Sequence, residues 1–447
     1  VNRESTDNLL ESRVVKIWQD CLTGRNDLFT EDKKRIEVVY PGRLNDDRGA
    51  DLRDAVITSG HCLRKGEVEI HVRSSSWWGH KHHQDPLYNG VILHVVYRHD
   101  TAAVVTLQNG CEVPTLALEK YVSNTGPFSR RPLPCRKTID PQDQAFIGEI
   151  LNRAGDNRFA TKLTEFQEAL SRVGAEQALY RGIMAALGYI KNKIPMIELA
   201  RRLPLSMLMA AVPAEITDEE CLVKYQALLI GTAGLLPSQH GGQCWPEYPY
   251  TGWIERLEDA WAALGQADTM LASDWHSFKI RPNNLPRRRL AAMSYLLGRY
   301  RENGLLPVLI GEVENVSPER NYLGLRDWLL VNTAGFWEEN LDFGLPARRI
   351  TPALLGEDRA GIIVVNVLLP LAAAWAQAAL RPKLAEKVLE IYHRYPALAE
   401  NTVEKHMRRQ LGIAGCSVSS AQRQQGLLHI YKTLCAQGKC GECPLGQ

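Results

Sequence analysis

The chain has 447 residues, enough for two or three domains with a sizeable buried core. Its 45% hydrophobic and 23% charged residues are those of an ordinary soluble globular protein. A formal net charge of +2 excludes a strongly basic polyanion binder, so any nucleic-acid contact must come from a local patch.

The first thirty residues are polar and lack the apolar core of a signal peptide. Leu9, Leu10, Val14, Ile17 and Trp18 have helical spacing over 8–21. A reducing cytoplasm is therefore expected, with the ten cysteines buried or metal-bound. β-Rich runs follow at RIEVVY (35–40), LRDAVIT (52–58), GEVEIHV (66–72), VILHVVY (91–97) and AAVVTLQ (102–108). Between the third and fourth, SSSWWGHKHHQDPLYNG predicts a short helix opened by a serine cap and closed at Asn89-Gly90. The order is helix, three strands, helix, strand, and the basic, proline-broken SRRPLPC (129–135) reads as a linker.

From about residue 140 the pattern becomes helical for most of the remaining chain, with proline-marked loops. GIIVVNVLLPLAAAWAQAAL (361–380) is the longest apolar run. Asn366 and Pro370 interrupt it, so a buried core helix is expected and no membrane span. The fold class expected is α+β: an α/β domain over 1–137, a helical domain over 138–415 and a four-cysteine tail over 416–447.

Seven of the 12 histidines lie between His61 and His99. In GEVEIHV, Glu67, Glu69 and His71 alternate with Val68, Ile70 and Val72, so the three polar groups leave one strand face together. Like charges crowded there are costly to bury unless a cation neutralises them. With Asp51 at the head of the preceding strand, they form a candidate catalytic and metal-binding set; the plainer reading is a strand face of solvated acids. His80 and His83, three apart on the expected helix, are candidate ligands for one ion. His94, inside an apolar strand, reads as a hydrogen-bonded core residue.

A second constellation is Cys416, Cys435, Cys440 and Cys443, spaced C-x18-C-x4-C-x2-C with Pro444 following. Four thiolates suit an iron–sulfur cluster or zinc; the C-x4-C-x2-C run and trailing proline favour the cluster. The other six cysteines (21, 62, 111, 135, 221 and 244) read as structural. A third feature is FKIRPNNLPRRRL (278–290), where Lys279, Arg281, Arg287, Arg288 and Arg289 either contact nucleic-acid phosphates or pair with acids on neighbouring helices.

Asp51 and the triplet Glu69-Ile70-His71 resemble the motif of the restriction-endonuclease-like, or PD-(D/E)XK, nuclease superfamily. This chain has His71 where that pattern has lysine, and Ala50 where it often has proline. The resemblance implies a Mg²⁺ or Mn²⁺ ion held by Asp51 and Glu69, with Glu67 as a further ligand or base. Taken together, GEVEIHVRSSSWWGHKHHQDPLYNGVILHVVY, LGYIKNKIPMIELARRLP (187–204), RPNNLPRRRLAAMSYLL (281–297) and QQGLLHIYKTLCAQGKCGECPL (424–445) resemble the bacterial family termed domain of unknown function 2851. That resemblance implies no activity. The functional expectation from the residues is a metal-dependent nuclease or phosphodiesterase acting on nucleic acid. The rivals are a non-catalytic nucleic-acid-binding or scaffold protein with structural metals, and a histidine/carboxylate metalloenzyme on a small substrate.

Overall fold

A computed structural model of the chain describes residues 11–446 apart from 26, 61, 123–132, 141–142, 214, 241–250, 265–267, 349–351 and 414–416. Leu9, Leu10, Cys244 and Cys416 thus lie outside the described residues. The chain divides into two compact units. The first comprises Val1–Gly155, Glu400–Val418 and Gln425–Gln447; the second comprises Asp156–Ala399 and Ser419–Gln424.

The first unit is built on a seven-stranded mixed sheet. Its strands are β1 (Leu28–Phe29), β2 (Arg35–Tyr40), β3 (Arg43–Leu44), β4 (Leu52–Ser59), β5 (Cys62–Arg73), β6 (Val91–Arg98) and β7 (Thr115–Ala117). The order is β1-β2-β4-β5-β6-β7, with β3 also paired to β4. Pairing is antiparallel from β1 to β5 and parallel from β5 through β6 to β7. A parallel β5–β6 pair needs a crossover, which is where the histidine-rich segment lies.

Alternation decides what each face of the sheet packs against. Leu52, Ala55, Ile57, Val68, Ile70, Leu93 and Val95 pack with Val14, Ile17 and Trp18 of α1 (Glu11–Cys21). Val56, of opposite parity, belongs to another core with Cys135, Ile147, Leu151, Met407, Leu411, Leu427 and Cys435. The expected strand at 102–108 is absent: that run forms one bridge, Thr106 with Glu112, and turns back at Leu107 and Gly110. Val105 pairs with Val113 instead, and Thr115–Ala117 occupies the place beside β6.

The second unit is helical around one large core, with a small β-hairpin of Asn340–Asp342 and Leu345–Pro346. The helical stretch Glu357–Ala378 is long and apolar enough to cross a membrane, and 78% of an apolar 18-residue window within it is buried. Pro370 has no amide to donate to the Asn366 carbonyl and its ring crowds that group; a π-helical turn at Val364–Leu368 takes up the misfit.

The basic run 278–290 is a correction. Arg287, Arg288 and Arg289 stand on the helix Pro286–Arg299 and are 9%, 0% and 3% exposed. Arg287 donates to the Leu235 carbonyl at 2.7 Å and pairs with Asp342 at 3.2 Å. Arg288 donates to the carbonyls of Asn340 at 2.9 Å and Pro352, and Arg289 to that of Leu354 and to the Tyr189 hydroxyl at 2.9 Å. Guanidinium forks here close off backbone carbonyls that burial would otherwise leave unpaired, so these three do not face a phosphate. Lys279 and Arg281 are exposed.

Candidate metal centre

The site lies on the sheet face opposite α1, where β5, β6 and the crossover between them meet. Strand parity puts Glu67, Glu69 and His71 there, because Val68 and Ile70 are committed to the α1 side. Gly66 sets the approach of the two strands: a Cβ there would lie 2.4 Å from Ile92 Cγ2 and 2.7 Å from the Gly90 carbonyl. Without one, the Glu67 amide donates to that carbonyl at 2.9 Å.

Asp51 and Glu69 are fixed reciprocally. The Asp51 amide donates to Glu69 Oε2 at 3.1 Å, and the Ile70 amide donates to Asp51 Oδ2 at 3.0 Å. Burial, followed by the charge of Glu69, pushes the Asp51 carboxyl up to about 7. Burial pushes Glu69 up to about 8. Glu67 is also raised by burial, but it turns towards Arg53, 3.5 Å away.

The other Glu69 oxygen meets imidazoles. Oε1 is 3.4 Å from His71 Nε2 and 3.2 Å from His82 Nε2. His71 Nε2 also lies 3.1 Å from His80 Nδ1, and His71 Nδ1 lies 2.9 Å from His94 Nε2. Burial and then the neighbouring imidazoles His94, His82 and His80 pull His71 down to about 2. Burial, then His82, pulls His94 down to about 3, and His82 is lowered too, chiefly by burial. Neutral rings beside a carboxyl raised by burial are not ion pairs. His82 Nε2 is buried without a hydrogen-bond partner. The ligand nitrogens of His71, His80 and His82 all lie within 4.8 Å of one another.

The crossover segment shows why the trio is 71, 80 and 82. The expected helix is one turn only, α2 (Ser76–Gly79), and Ser75 makes no side-chain cap. Ser74 and Ser75 donate to Asp100 instead, at 3.0 and 2.8 Å. Lys81 adopts a left-handed backbone (φ 60°), which breaks the i,i+3 relation of His80 and His83. The following turn, His82–Gln84, directs His82 into the cluster between Tyr88 (ring centroids 3.9 Å apart) and Trp77 (5.3 Å). His83 turns to Trp78, 4.5 Å between centroids, and is not in the trio. Sequence spacing misses His82 because its position depends on that left-handed residue; its neighbours Trp77 and Tyr88 are the signal that a walled site is near.

Three imidazoles and one carboxylate are a donor set for zinc, manganese or iron more than for magnesium. His82 Nε2, 3.2 Å from Glu69 Oε1 but not aligned for a hydrogen bond, and a carboxyl that burial resists ionising are both relieved by a cation at this point. The residues present fit such an ion.

Of the cysteine set, Cys416 lies outside the described residues. Cys435 and Cys443 are buried in the first unit and Cys440 is partly buried. No curated protein and no solved structure matches this chain. A family model does match, over residues 11–401, which takes in the whole imidazole cluster and stops before the C-terminal cysteines. The chain belongs to that family, described as protein of unknown function (DUF2851).

Proposed function

We propose that the first unit is a metal-dependent hydrolase acting on phosphodiesters, of the nuclease type. The observation that carries this reading is the locked Asp51–Glu69 pair set against His71, His80 and His82. Two features support kinship with the PD-(D/E)XK nucleases: α1 followed by the antiparallel strands β2, β4 and β5 (with the two-residue β1 and β3 added), the crossover and parallel β6, and acids at the head of β4 and in mid-β5.

His71, His80, His82 and Glu69 would hold the ion. When bound, it supplies Lewis-acid polarisation of a phosphoryl oxygen and acidifies water. Asp51, whose carboxyl titrates near neutrality, takes a proton from the attacking water and is oriented by the Ile70 amide. His94 fixes the His71 ring, and Trp77 and Tyr88 limit the water around His82. Arg53, beside Glu67 at the same end of β4, supplies a cation for a substrate phosphate.

The imidazole majority favours a second reading, a zinc or iron enzyme acting on a small substrate. The test uses purified full-length protein, stripped and reloaded with Mn²⁺, Zn²⁺ or Mg²⁺. Substrates are single- and double-stranded DNA, RNA and bis(p-nitrophenyl) phosphate. Metal-dependent cleavage of nucleic acid that disappears in Glu69→Ala, with the fold intact by circular dichroism, supports the first reading. Turnover of the small ester alone supports the second. Turnover of neither by the metal-loaded protein overturns both in favour of a binding or scaffold role.

A further inference from the structure

Cys135 reads in the sequence as one of six scattered structural cysteines, separated from the C-terminal group by the whole of the second unit. In the folded first unit it is beside that group. It stands on α3 (Pro134–Thr138), a one-turn helix held to the C-terminal segment by Thr138, whose hydroxyl donates to the Leu445 carbonyl at 2.9 Å. A Cβ on Gly446 would lie 3.3 Å from the Cys440 carbonyl and 3.7 Å from the Cys135 amide nitrogen, so the last turn of the tail rests against both.

One side chain touches two of the sulfurs. Gln410 Nε2 lies 3.8 Å from Cys135 Sγ and 3.7 Å from Cys435 Sγ. Its orientation is set from behind, where Tyr40 donates to Gln410 Oε1 at 3.3 Å. A donor turned towards two buried sulfurs stabilises thiolate, the form that binds metal.

The four thiols also feel one another. Burial, and then Cys443, Cys440 and Cys135, push Cys435 up to about 12. Burial, and then Cys135 and Cys443, push Cys440 up to about 11. None of the four is in a disulfide. Four clustered thiols, two of them touched by one amide donor, would repel one another as thiolates unless a cation held them.

We propose that Cys135, Cys435, Cys440 and Cys443 ligate one iron–sulfur cluster, which pins the C-terminal segment to the sheet of the first unit. The C-x4-C-x2-C run with Pro444 following favours the cluster over zinc, and a cluster takes four cysteines, of which Cys135 supplies the fourth. Gly438, left-handed at φ 70°, carries the chain between Cys435 and Cys440, where a Cβ would lie 2.8 Å from Val56 Cγ1 of β4. The cluster loop therefore packs directly on the sheet.

The experiment is anaerobic purification of the full chain, followed by assay of iron, acid-labile sulfide and zinc and a visible spectrum bleached by dithionite. Wild type is compared with Cys135→Ser and with Cys62→Ser, an exposed control. The expected result is brown wild-type and Cys62→Ser protein with matched iron and sulfide, and loss of most of both in Cys135→Ser. In case Cys135→Ser does not fold, wild-type protein is alkylated before and after oxidative cluster removal and mapped by mass spectrometry. Cys135 should become reactive together with Cys435, Cys440 and Cys443. Full iron and sulfide in Cys135→Ser, equal Cys135 labelling before and after removal, or wild-type protein holding zinc without sulfide overturns the proposal.

Discussion

His71 and His94 meet nitrogen to nitrogen, Nδ1 to Nε2 at 2.9 Å. Burial keeps both rings neutral, so one of these nitrogens carries the proton and the other accepts it. With the proton on His71 Nδ1, the His71 Nε2 lone pair faces His80, His82 and Glu69, the form a metal ligand requires. The pairing across β5 and β6 thus fixes the ring's position, and metal binding at Nε2 requires this tautomer.

His94→Leu removes that acceptor and is expected to weaken metal binding about 10–100-fold, while His94→Gln, which keeps one, retains more of it. Competition titration with a chromophoric chelator measures this. Equal affinity in wild type and His94→Leu would show that His94 does not orient His71.

Metal uptake should also expel protons. Without a cation, Glu69 titrates near 8 and Asp51 near 7, so both are partly protonated at neutral pH. Calorimetry in buffers of different ionisation enthalpy should show protons released on binding at pH 7, and fewer at pH 9. Stability of the metal-free form follows with the sign fixed. Between about pH 4 and 8 the unfolded chain has ionised these two acids while the folded chain still holds their protons, so their contribution is lost as pH rises. His71 and His94, pulled down to about 2 and 3, act oppositely: their contribution is complete above about pH 6.5 and is lost below it. Metal-free protein should therefore be most stable on the acid side of neutrality, and metal should move that maximum upward.

Much of this site was legible in the sequence. Period two in GEVEIHV places Glu67, Glu69 and His71 on one face, and four of the strand runs became β2, β4, β5 and β6. The rest depended on distant packing. No local signal marks Lys81 as left-handed, so spacing chose His83 where the backbone presents His82. A run of three arginines reads as contacts to phosphates or to acids, yet here only Arg287 meets an acid, Asp342, and the other partners include carbonyls brought from residues 235, 340, 352 and 354. Cys135 meets Cys435 only after the whole second unit has left and rejoined the first.

His406 gives a pH response independent of the imidazole cluster. It shares a 2.6 Å contact with the Tyr40 hydroxyl, and burial, followed by Arg43, pulls it down to about 4. Between pH 6.5 and 4 the unfolded chain takes up a proton that the folded chain refuses. Its contribution is whole above pH 6.5 and falls towards pH 4 by at most about 1.4 kcal/mol per pH unit. His406→Gln keeps a partner for Tyr40 without titrating. Urea unfolding should show the variant gaining on wild type as pH drops through this window; a constant difference would place the titration elsewhere.

Arg287 and Lys279 separate the two meanings of a basic segment. Arg287→Met strands the Asp342 carboxylate, itself raised first by burial, and is expected to cost about 3–5 kcal/mol in chemical denaturation. The exposed pair Lys279→Gln and Arg281→Gln should change stability by less than about 0.5 kcal/mol. If the protein grips nucleic acid with this segment, only the exposed pair can reach the phosphates. Its double substitution then lowers the slope of log affinity against log salt by about 1 for each phosphate no longer neutralised. An unchanged slope would remove the segment from any nucleic-acid interface and leave its arginines a purely structural task.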